Sequence, residues 1–136
     1  MKHVNAVLDA HPDPAGSNGD AARACIDACH ECAAACTACA DACLHESPVE
    51  PLTGCIRFNV DCADVCGVTA RLLARAGHAD AATLRLQLRA CEQACRSCAD
   101  ECETHAAHGM EHCRACAIAC GECARACEHM TAALVP

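Results

Sequence analysis

Six cysteines in the first third of the chain follow one another at intervals of four, three, four, three and four residues. They are Cys25, Cys29, Cys32, Cys36, Cys39 and Cys43. Because this alternation is the heptad spacing of a and d positions, it predicts one helix with a continuous row of thiols along one face. Thiolates are soft ligands that select Cu(I), Zn(II) or iron–sulfur clusters, so the row of sulfur indicates metal chemistry.

The same spacing recurs in three later stretches, and we call each row of regularly spaced residues a seam. The second seam contains two polar residues and consists of Cys55, Asn59, Cys62, Cys66, Thr69 and Leu73. The third begins with leucine and consists of Leu84, Leu88, Cys91, Cys95, Cys98, Cys102 and His105. The fourth consists of Cys113, Cys116, Cys120, Cys123, Cys127, Met130 and Leu134. The seam is therefore an internal repeat.

Breaks at Pro48, Gly77 and Gly109 divide the chain into four helical segments with short links. The expected helices span about 18–46, 51–76, 79–106 and 110–134. This pattern predicts an all-α fold, an antiparallel up-down-up-down four-helix bundle that forms a single domain over residues 1–136. A coiled-coil filament is the competing architecture, and the breaks disfavour it.

A short N-terminal segment, residues 1–16, precedes the bundle. We expect a short helix over residues 3–10 that ends before Pro12 and covers one end of the domain. Ser17 or Asn18 can cap the first long helix, because their side chains accept hydrogen bonds from free backbone N–H groups.

The antiparallel arrangement predicts two different ends for the bundle. One end collects histidine and methionine beside cysteines, namely His45, His105, His108, Met110 and His112. The other end collects apolar residues, namely Leu73, Leu84, Leu88, Met130 and Leu134. We therefore expect a histidine-lined mouth, an apolar plug and a thiol-lined core between them.

Composition excludes several classes of partner. The chain has 136 residues, of which 18 are cysteine and one, Phe58, is aromatic. A formal net charge of −8 disfavours nucleic acid and anionic membranes as partners.

The sequence contains neither a signal-peptide core nor a membrane span, so we expect a cytoplasmic protein. Thiols stay reduced there, which favours metal binding over a disulfide framework.

Charge distinguishes the candidate metals. Iron–sulfur motifs use short cysteine runs on loops, unlike this helical spacing. A Zn(II) ion with four thiolates leaves net negative charge, and burying such charge is costly. One monovalent Cu(I) per thiolate leaves a neutral core. The neutrality argument therefore predicts many Cu(I) ions per chain, on the order of one per cysteine, which is a storage stoichiometry.

The histidines at the mouth suggest how metal reaches the core. Imidazole is a suitable copper ligand, so these side chains could accept incoming Cu(I) and pass it to cysteine. His105 lies on the seam and His112 adjoins Cys113, so we rank these two first, followed by His108 and His45. Because thiols must lose protons to bind, affinity should fall as the pH falls.

These features resemble the bacterial copper storage proteins, specifically the cytosolic branch of that family. The likeness runs from about Asp20 to Leu134. It rests on the cysteines from Cys25 to Cys43 and on the segments CIRFNVDCADVC (55–66), CEQACRSCADEC (91–102) and CRACAIACGECARAC (113–127). The resemblance implies a bundle whose inward cysteines bind many Cu(I) ions, and it implies no catalysis.

The resemblance also implies details that the spacing does not. It implies a homotetramer of bundles, and copper that enters at a histidine-bearing open end. At Asn59, which replaces a seam cysteine, it implies an amide oxygen that contacts copper. Copper ions are the expected partners, with a copper chaperone or a low-molecular-weight thiol as candidate donor. The expected metal-binding set is the 18 cysteines with His105, His112, His108 and Asn59.

Other functions remain open from the residues alone. The cysteines could form a core of small hydrophobes, or disulfides if the chain meets an oxidant. The chain could be a zinc or general soft-metal buffer, or a structural coiled-coil adaptor. A thiol redox enzyme is a further alternative, but it requires one activated, exposed thiolate, and the seams single out none.

Overall fold

The computed structural model describes residues 1–13 and 19–134, and their regular structure is helical. The helices are α1 (Lys2–Asp9), α2 (Asp20–Leu44), α3 (Thr53–Leu73), α4 (Ala81–Ala106) and α5 (Glu111–Ala133). No β-strand is present in these described ranges, which confirms the predicted all-α class. None of the helices described is both long enough and apolar enough to cross a membrane.

The four long helices contact one another in a closed cycle. Helix α2 packs against α3 and α5, and helix α4 packs against the same two helices. Each long helix presents a row of small buried side chains to its neighbours, since cysteine and alanine dominate the buried positions. The core therefore lies along the line where the four seams meet.

Local sequence sets where the long helices begin and end. Pro51 lies in a 3-10 turn, Glu50–Leu52, so α3 starts two residues later than 51. Gly77 lies in a second 3-10 turn, Ala76–His78, and α3 ends before it. The carboxylate of Asp80 accepts a hydrogen bond from the Thr83 backbone N–H at 3.0 Å, which caps α4.

Two other boundaries depend on glycine. Gly109 has a φ of +91°, in the left-handed region that glycine tolerates best, and it separates α4 from α5. Gly19 is the residue that precedes α2, and no side chain among the described residues caps that helix. The expected caps, Ser17 and Asn18, lie outside the residues that the structure describes, as does the expected start of the helix at about 18.

The short helix α1 packs against one end of the core through Leu8, which is 3% exposed. Two ion pairs hold it beside α2. The N-terminal ammonium group lies 2.7 Å from Asp27, and Arg23 lies 2.7 Å from Asp9. The same end contains the buried aliphatic side chains Ile26, Leu73, Leu84 and Leu88, together with Met130. Aliphatic side chains therefore fill this end of the core, and the cysteines lie further along the seams.

Candidate metal centre

The 18 cysteines form the centre of the core. Every one is buried, with at most 3% of its surface exposed. All are free thiols. The heptad spacing explains this burial, because a residue at every third or fourth position of a helix returns to the same face.

Neighbouring thiols lie close enough to share metal ions. The Sγ atoms of Cys36 and Cys120 are 3.5 Å apart, and those of Cys66 and Cys95 are 3.6 Å apart. Two sulfur atoms bound to one ion at about 2.3 Å can be at most about 4.6 Å apart. These pairs join side chains from different helices, so an ion bound between them would link the helices.

Several groups of four cysteines bring their sulfur atoms within 4.8 Å of one another. We call them the core quartets, and they are Cys29/Cys91/Cys123/Cys127, Cys32/Cys62/Cys66/Cys95, Cys32/Cys36/Cys62/Cys120 and Cys36/Cys98/Cys116/Cys120. Four cysteines belong to two quartets each: Cys32, Cys36, Cys62 and Cys120. The groups therefore overlap, and the geometry is that of a continuous sulfur network in which one thiolate can bridge several ions.

Asn59 is the polar residue at the centre of this network, and it is fully buried. Its Oδ1 atom accepts hydrogen bonds from the Cys116 thiol at 3.0 Å and the Cys98 thiol at 3.1 Å. Its amide group donates to Cys55 Sγ at 3.5 Å. The side chain thus contacts sulfur on three helices.

Thr69, the second polar residue of that seam, has a different environment. Its hydroxyl donates to the Val65 carbonyl at 2.8 Å and accepts from the Gln87 amide at 3.0 Å. These bonds satisfy a fully buried polar group without sulfur. Thr69 therefore belongs to the structural part of the core, as its position beside Leu73 suggests.

His112 is the mouth histidine that the structure brings to the thiols. Its Nδ1 atom is 3.5 Å from the Sγ atoms of both Cys39 and Cys113. Together with Cys43 these residues place three sulfur atoms and one nitrogen within 4.8 Å of one another. We call Cys39, Cys43, Cys113 and His112 the mouth quartet.

The other mouth histidines lie further from this arrangement. The Nε2 atom of His105 is 3.1 Å from Glu101 Oε1, and the side chain is 13% exposed. His45 and His108 are exposed, and the Nδ1–H of His45 donates to the Asp41 carbonyl at 2.9 Å. Of the four predicted histidines, His112 therefore contacts sulfur directly.

Burial and neighbouring groups set the proton affinity of the thiols near the mouth. Burial raises the pKa of Cys43 to about 11 and the pKa of Cys113 to about 12. Cys55 differs, because hydrogen bonds from Cys102 and Cys39 lower its pKa to about 3, and the nearby His105 ring adds to this lowering. Metal that binds at Cys43 and Cys113 must therefore displace protons at neutral pH.

Two carboxylates near the mouth were not among the candidates from sequence. Glu101 precedes His105 by four residues on α4, so helical spacing alone could have indicated the contact. Glu46 follows α2, and its Oε2 atom is 3.8 Å from His112 Nε2. No spacing rule relates Glu46 to His112, because the contact joins the end of one helix to the start of another.

The chain is similar to known proteins in both sequence and structure. The sequence profile of the family described as copper storage protein matches residues 18–132. The chain is 50% identical to the copper storage protein Ccsp from Streptomyces lividans, solved with 10 copper equivalents. That alignment has a TM-score of 0.88 and covers 95% of this chain and 98% of the other. A second structure of that protein, described as cytosolic and carrying five coppers, gives 53% identity, a TM-score of 0.80 and coverage of 83% and 93%.

Two further proteins are similar at lower identity. The Cu(I)-bound copper storage protein BsCsp3 is 35% identical, with a TM-score of 0.72 over 82% of this chain and 99% of the other. The cysteine-rich protein YhjQ from Bacillus subtilis (strain 168), described as uncharacterized, is 39% identical over 92 residues. That match covers 68% of this chain and 79% of YhjQ.

Proposed function

Because the chain belongs to the copper storage protein family, we propose that it stores copper as many Cu(I) ions held by its buried thiolates. The observation that carries this function is the overlap of the core quartets. Closed zinc sites each need four ligands of their own, whereas Cu(I) tolerates low coordination with bridging sulfur. The overlap therefore suits a Cu(I)–thiolate network better than a set of separate zinc sites.

Charge supports the same choice of ion. Each thiol that loses its proton leaves one negative charge in a core where the cysteines are at most 3% exposed. One Cu(I) ion per thiolate neutralises that charge, whereas zinc with four thiolates leaves net negative charge to be buried. The Ccsp structure with 10 copper equivalents is a precedent for many ions in one chain of this kind.

An antiparallel up-down-up-down bundle, folded as one domain, is the arrangement that we propose for the four long helices. Thiol contacts support it. Cys25 near the start of α2 is 3.7 Å from Cys127 near the end of α5, and Cys39 near the end of α2 is 4.0 Å from Cys113 near the start of α5. Short links between consecutive helices support the same topology.

Copper would enter at the end where His112 lies, because its ring nitrogen is within reach of two thiols and its side chain is 28% exposed. His105 would act beside it, and exposed His108 would contribute less. Asn59 would supply an oxygen ligand, since its Oδ1 atom already faces two thiols. The 18 cysteines would supply the remaining ligands.

The protein would act by binding alone, without catalysis, because no cysteine is both exposed and distinct from its neighbours. A cytosolic location follows from the likeness to Ccsp, which is described as cytosolic. A copper chaperone or a low-molecular-weight thiol would deliver the ion. We expect a homotetramer, which light scattering coupled to gel filtration would test.

Anaerobic titration of the reduced protein with Cu(I), against a competing chelator, tests storage. We expect tight uptake of many ions, approaching one per thiol, and a matching loss of thiols that react with a disulfide reagent. A parallel Zn(II) titration serves as the comparison. A plateau at a few ions for both metals would overturn the storage function and favour a zinc or soft-metal buffer.

A further inference from the structure

The mouth quartet differs chemically from the core quartets, because one of its four ligand atoms is nitrogen. His112 Nδ1 lies 3.5 Å from Cys39 Sγ and 3.5 Å from Cys113 Sγ. The two sulfur atoms are 4.0 Å apart. Cys43 Sγ lies within 4.8 Å of the other three atoms. Four ligand atoms therefore surround one point at the partly exposed end of the sulfur network.

These distances match those of a tetrahedral zinc site. With Zn–S bonds of about 2.3 Å and Zn–N bonds of about 2.0–2.1 Å, tetrahedral angles place sulfur about 3.6 Å from nitrogen and about 3.8 Å from another sulfur. The observed separations at His112 and between Cys39 and Cys113 differ from these values by a few tenths of an ångström. Small side-chain rotations would complete the site.

Charge makes this quartet a more favourable place for a divalent ion than the core quartets. Zinc with three thiolates and a neutral imidazole leaves one net negative charge, whereas zinc in a core quartet leaves two. The side chain of His112 is 28% exposed, so water stabilises the remaining charge better than the buried core does. The mouth quartet also shares no member with the core quartets, so a closed site here takes no thiolate from them.

The surroundings of His112 support a role as metal ligand. Its Nε2 atom is buried and makes no hydrogen bond, although Glu46 Oε2 lies 3.8 Å away. Metal-bound histidine usually donates its other ring N–H to a carboxylate, which fixes the ring orientation. A metal ion on Nδ1 would leave the proton on Nε2, where Glu46 needs to approach by less than about 1 Å to accept it.

We propose that the mouth quartet binds one Zn(II) ion per chain as a closed site of three cysteines and one histidine. In the copper-free protein this site takes zinc, and it differs from the core quartets in charge and coordination; at full copper loading its three cysteines bind Cu(I) instead. It gives the protein a selective place for zinc at the end of the bundle where the sulfur network meets solvent.

Zinc X-ray absorption of the reduced full chain, loaded with one equivalent of Zn(II), tests this site without any substitution. We expect three sulfur atoms and one imidazole nitrogen around zinc. Four sulfur atoms and no nitrogen would place the ion in a core quartet and overturn the proposal. Cobalt(II), titrated in parallel, should give the visible bands of a tetrahedral thiolate site after one equivalent.

Two variants then identify the histidine. His112→Ala should weaken binding of the first zinc equivalent by about 10- to 100-fold in competition with a chelator. His129→Ala is the matched control, because that histidine is exposed on the same helix, outside the mouth and core quartets, and the zinc affinity of this variant should equal that of the wild type. Equal zinc affinity for wild type and His112→Ala would overturn the proposal.

The same preparations separate this site from copper storage. Neither variant alters a residue of the core quartets, so the Cu(I) ions bound there should be retained. Loss of zinc affinity with copper capacity retained is the expected result. If His112→Ala fails to fold, Cys43→Ser replaces it, and undiminished first-equivalent zinc affinity in that variant would contradict the proposal.

Discussion

At the scale of single residues, the chemistry at the mouth depends on two buried thiols, Cys43 and Cys113, that stay protonated until metal arrives. Burial disfavours the thiolate, so the pKa values of Cys43 and Cys113 rise to about 11 and about 12. A metal ion reverses this preference, because it supplies the positive charge that the core lacks. Protons and metal ions therefore compete for the same sulfur atoms.

Copper affinity should consequently fall as the pH falls. The thiols of Cys43 and Cys113 are protonated at neutral pH, so an ion that binds to them releases their protons. Lowering the pH opposes this proton release and therefore weakens metal binding. For each proton released, the affinity should decrease up to about tenfold per pH unit. Competition titrations with a chelator at about pH 6, 7 and 8, corrected for the chelator's own protonation, would measure this slope. An affinity independent of pH would contradict protonated thiols in the metal-free protein.

Asn59 offers a second test at the residue scale. Replacement by alanine removes hydrogen bonds to four thiols and leaves a cavity, so Asn59→Ala should lower the free energy of unfolding of the reduced metal-free protein by about 1–3 kcal/mol. Asn59→Cys continues the seam and should bind at least as much Cu(I) as the wild type. Denaturant unfolding and Cu(I) titration measure the two effects. An Asn59→Ala protein with the same free energy of unfolding as the wild type would show that the buried amide does not stabilise the fold.

At the scale of secondary-structure elements, each long helix divides its seam between packing and metal chemistry. Helix α4 shows this division most clearly, with Leu84 and Leu88 near its start, cysteines from Cys91 to Cys102, and His105 near its end. Aliphatic side chains fill one end of the core, and polar side chains lie at the other end. Stability and metal binding should therefore respond to substitutions at different positions of the same helix.

A pair of leucines on α4 tests this separation. Leu88 is fully buried, so Leu88→Ala should lower the free energy of unfolding by about 2–5 kcal/mol. Leu86 is 67% exposed on the same helix, so Leu86→Ala should change it by less than about 0.5 kcal/mol. Chemical denaturation measures both values. Copper capacity at saturation should match the wild type in each folded variant, and a loss of several ions in Leu88→Ala would contradict the division.

Helical spacing made much of this arrangement predictable from sequence, because residues at heptad positions return to one face. It indicated which cysteines lie in the core and that leucine fills one end. It did not indicate Glu46, which reaches His112 from beyond the end of α2. Nor did the spacing indicate which mouth histidine contacts sulfur. The Nε2 atom of His105 lies near Glu101, whereas His112 contacts two thiols.

Helix boundaries were predictable to within a few residues, and the differences have local causes. The 3-10 turn Glu50–Leu52 delays α3, and the turn Ala76–His78 follows its end. Such turns satisfy backbone groups at helix termini through contacts that the heptad pattern does not specify. The sequence predicted a short helix over residues 3–10 that covers one end of the domain, but it did not indicate the two ion pairs that join α1 to α2.

At the scale of the whole molecule, metal and fold should stabilise each other. The thiols that would bind copper come from all four long helices, so bound ions cross-link helices that otherwise meet through small side chains. An ion that binds only the folded chain stabilises it by about 2.7 kcal/mol for each independent site when its free concentration is about 100 times Kd. Many such sites shift the balance strongly toward the folded state.

Copper loading should therefore raise the Tm of the reduced protein progressively with each added equivalent. Circular dichroism melts under anaerobic conditions, from the metal-free to the saturated protein, would follow this rise. Removal of copper by a strong Cu(I) chelator should restore the original Tm. A Tm that does not change with loading would indicate metal on the surface instead of between helices.

The most direct test of the central claim is the location of copper in crystals of the loaded protein, from anomalous diffraction at the copper absorption edge. We expect several copper peaks along the axis between the helices, each within bonding distance of two or more cysteine sulfur atoms, with the core quartets occupied. Peaks confined to exposed histidines and carboxylates, with an empty sulfur core, would contradict copper storage by the buried thiols.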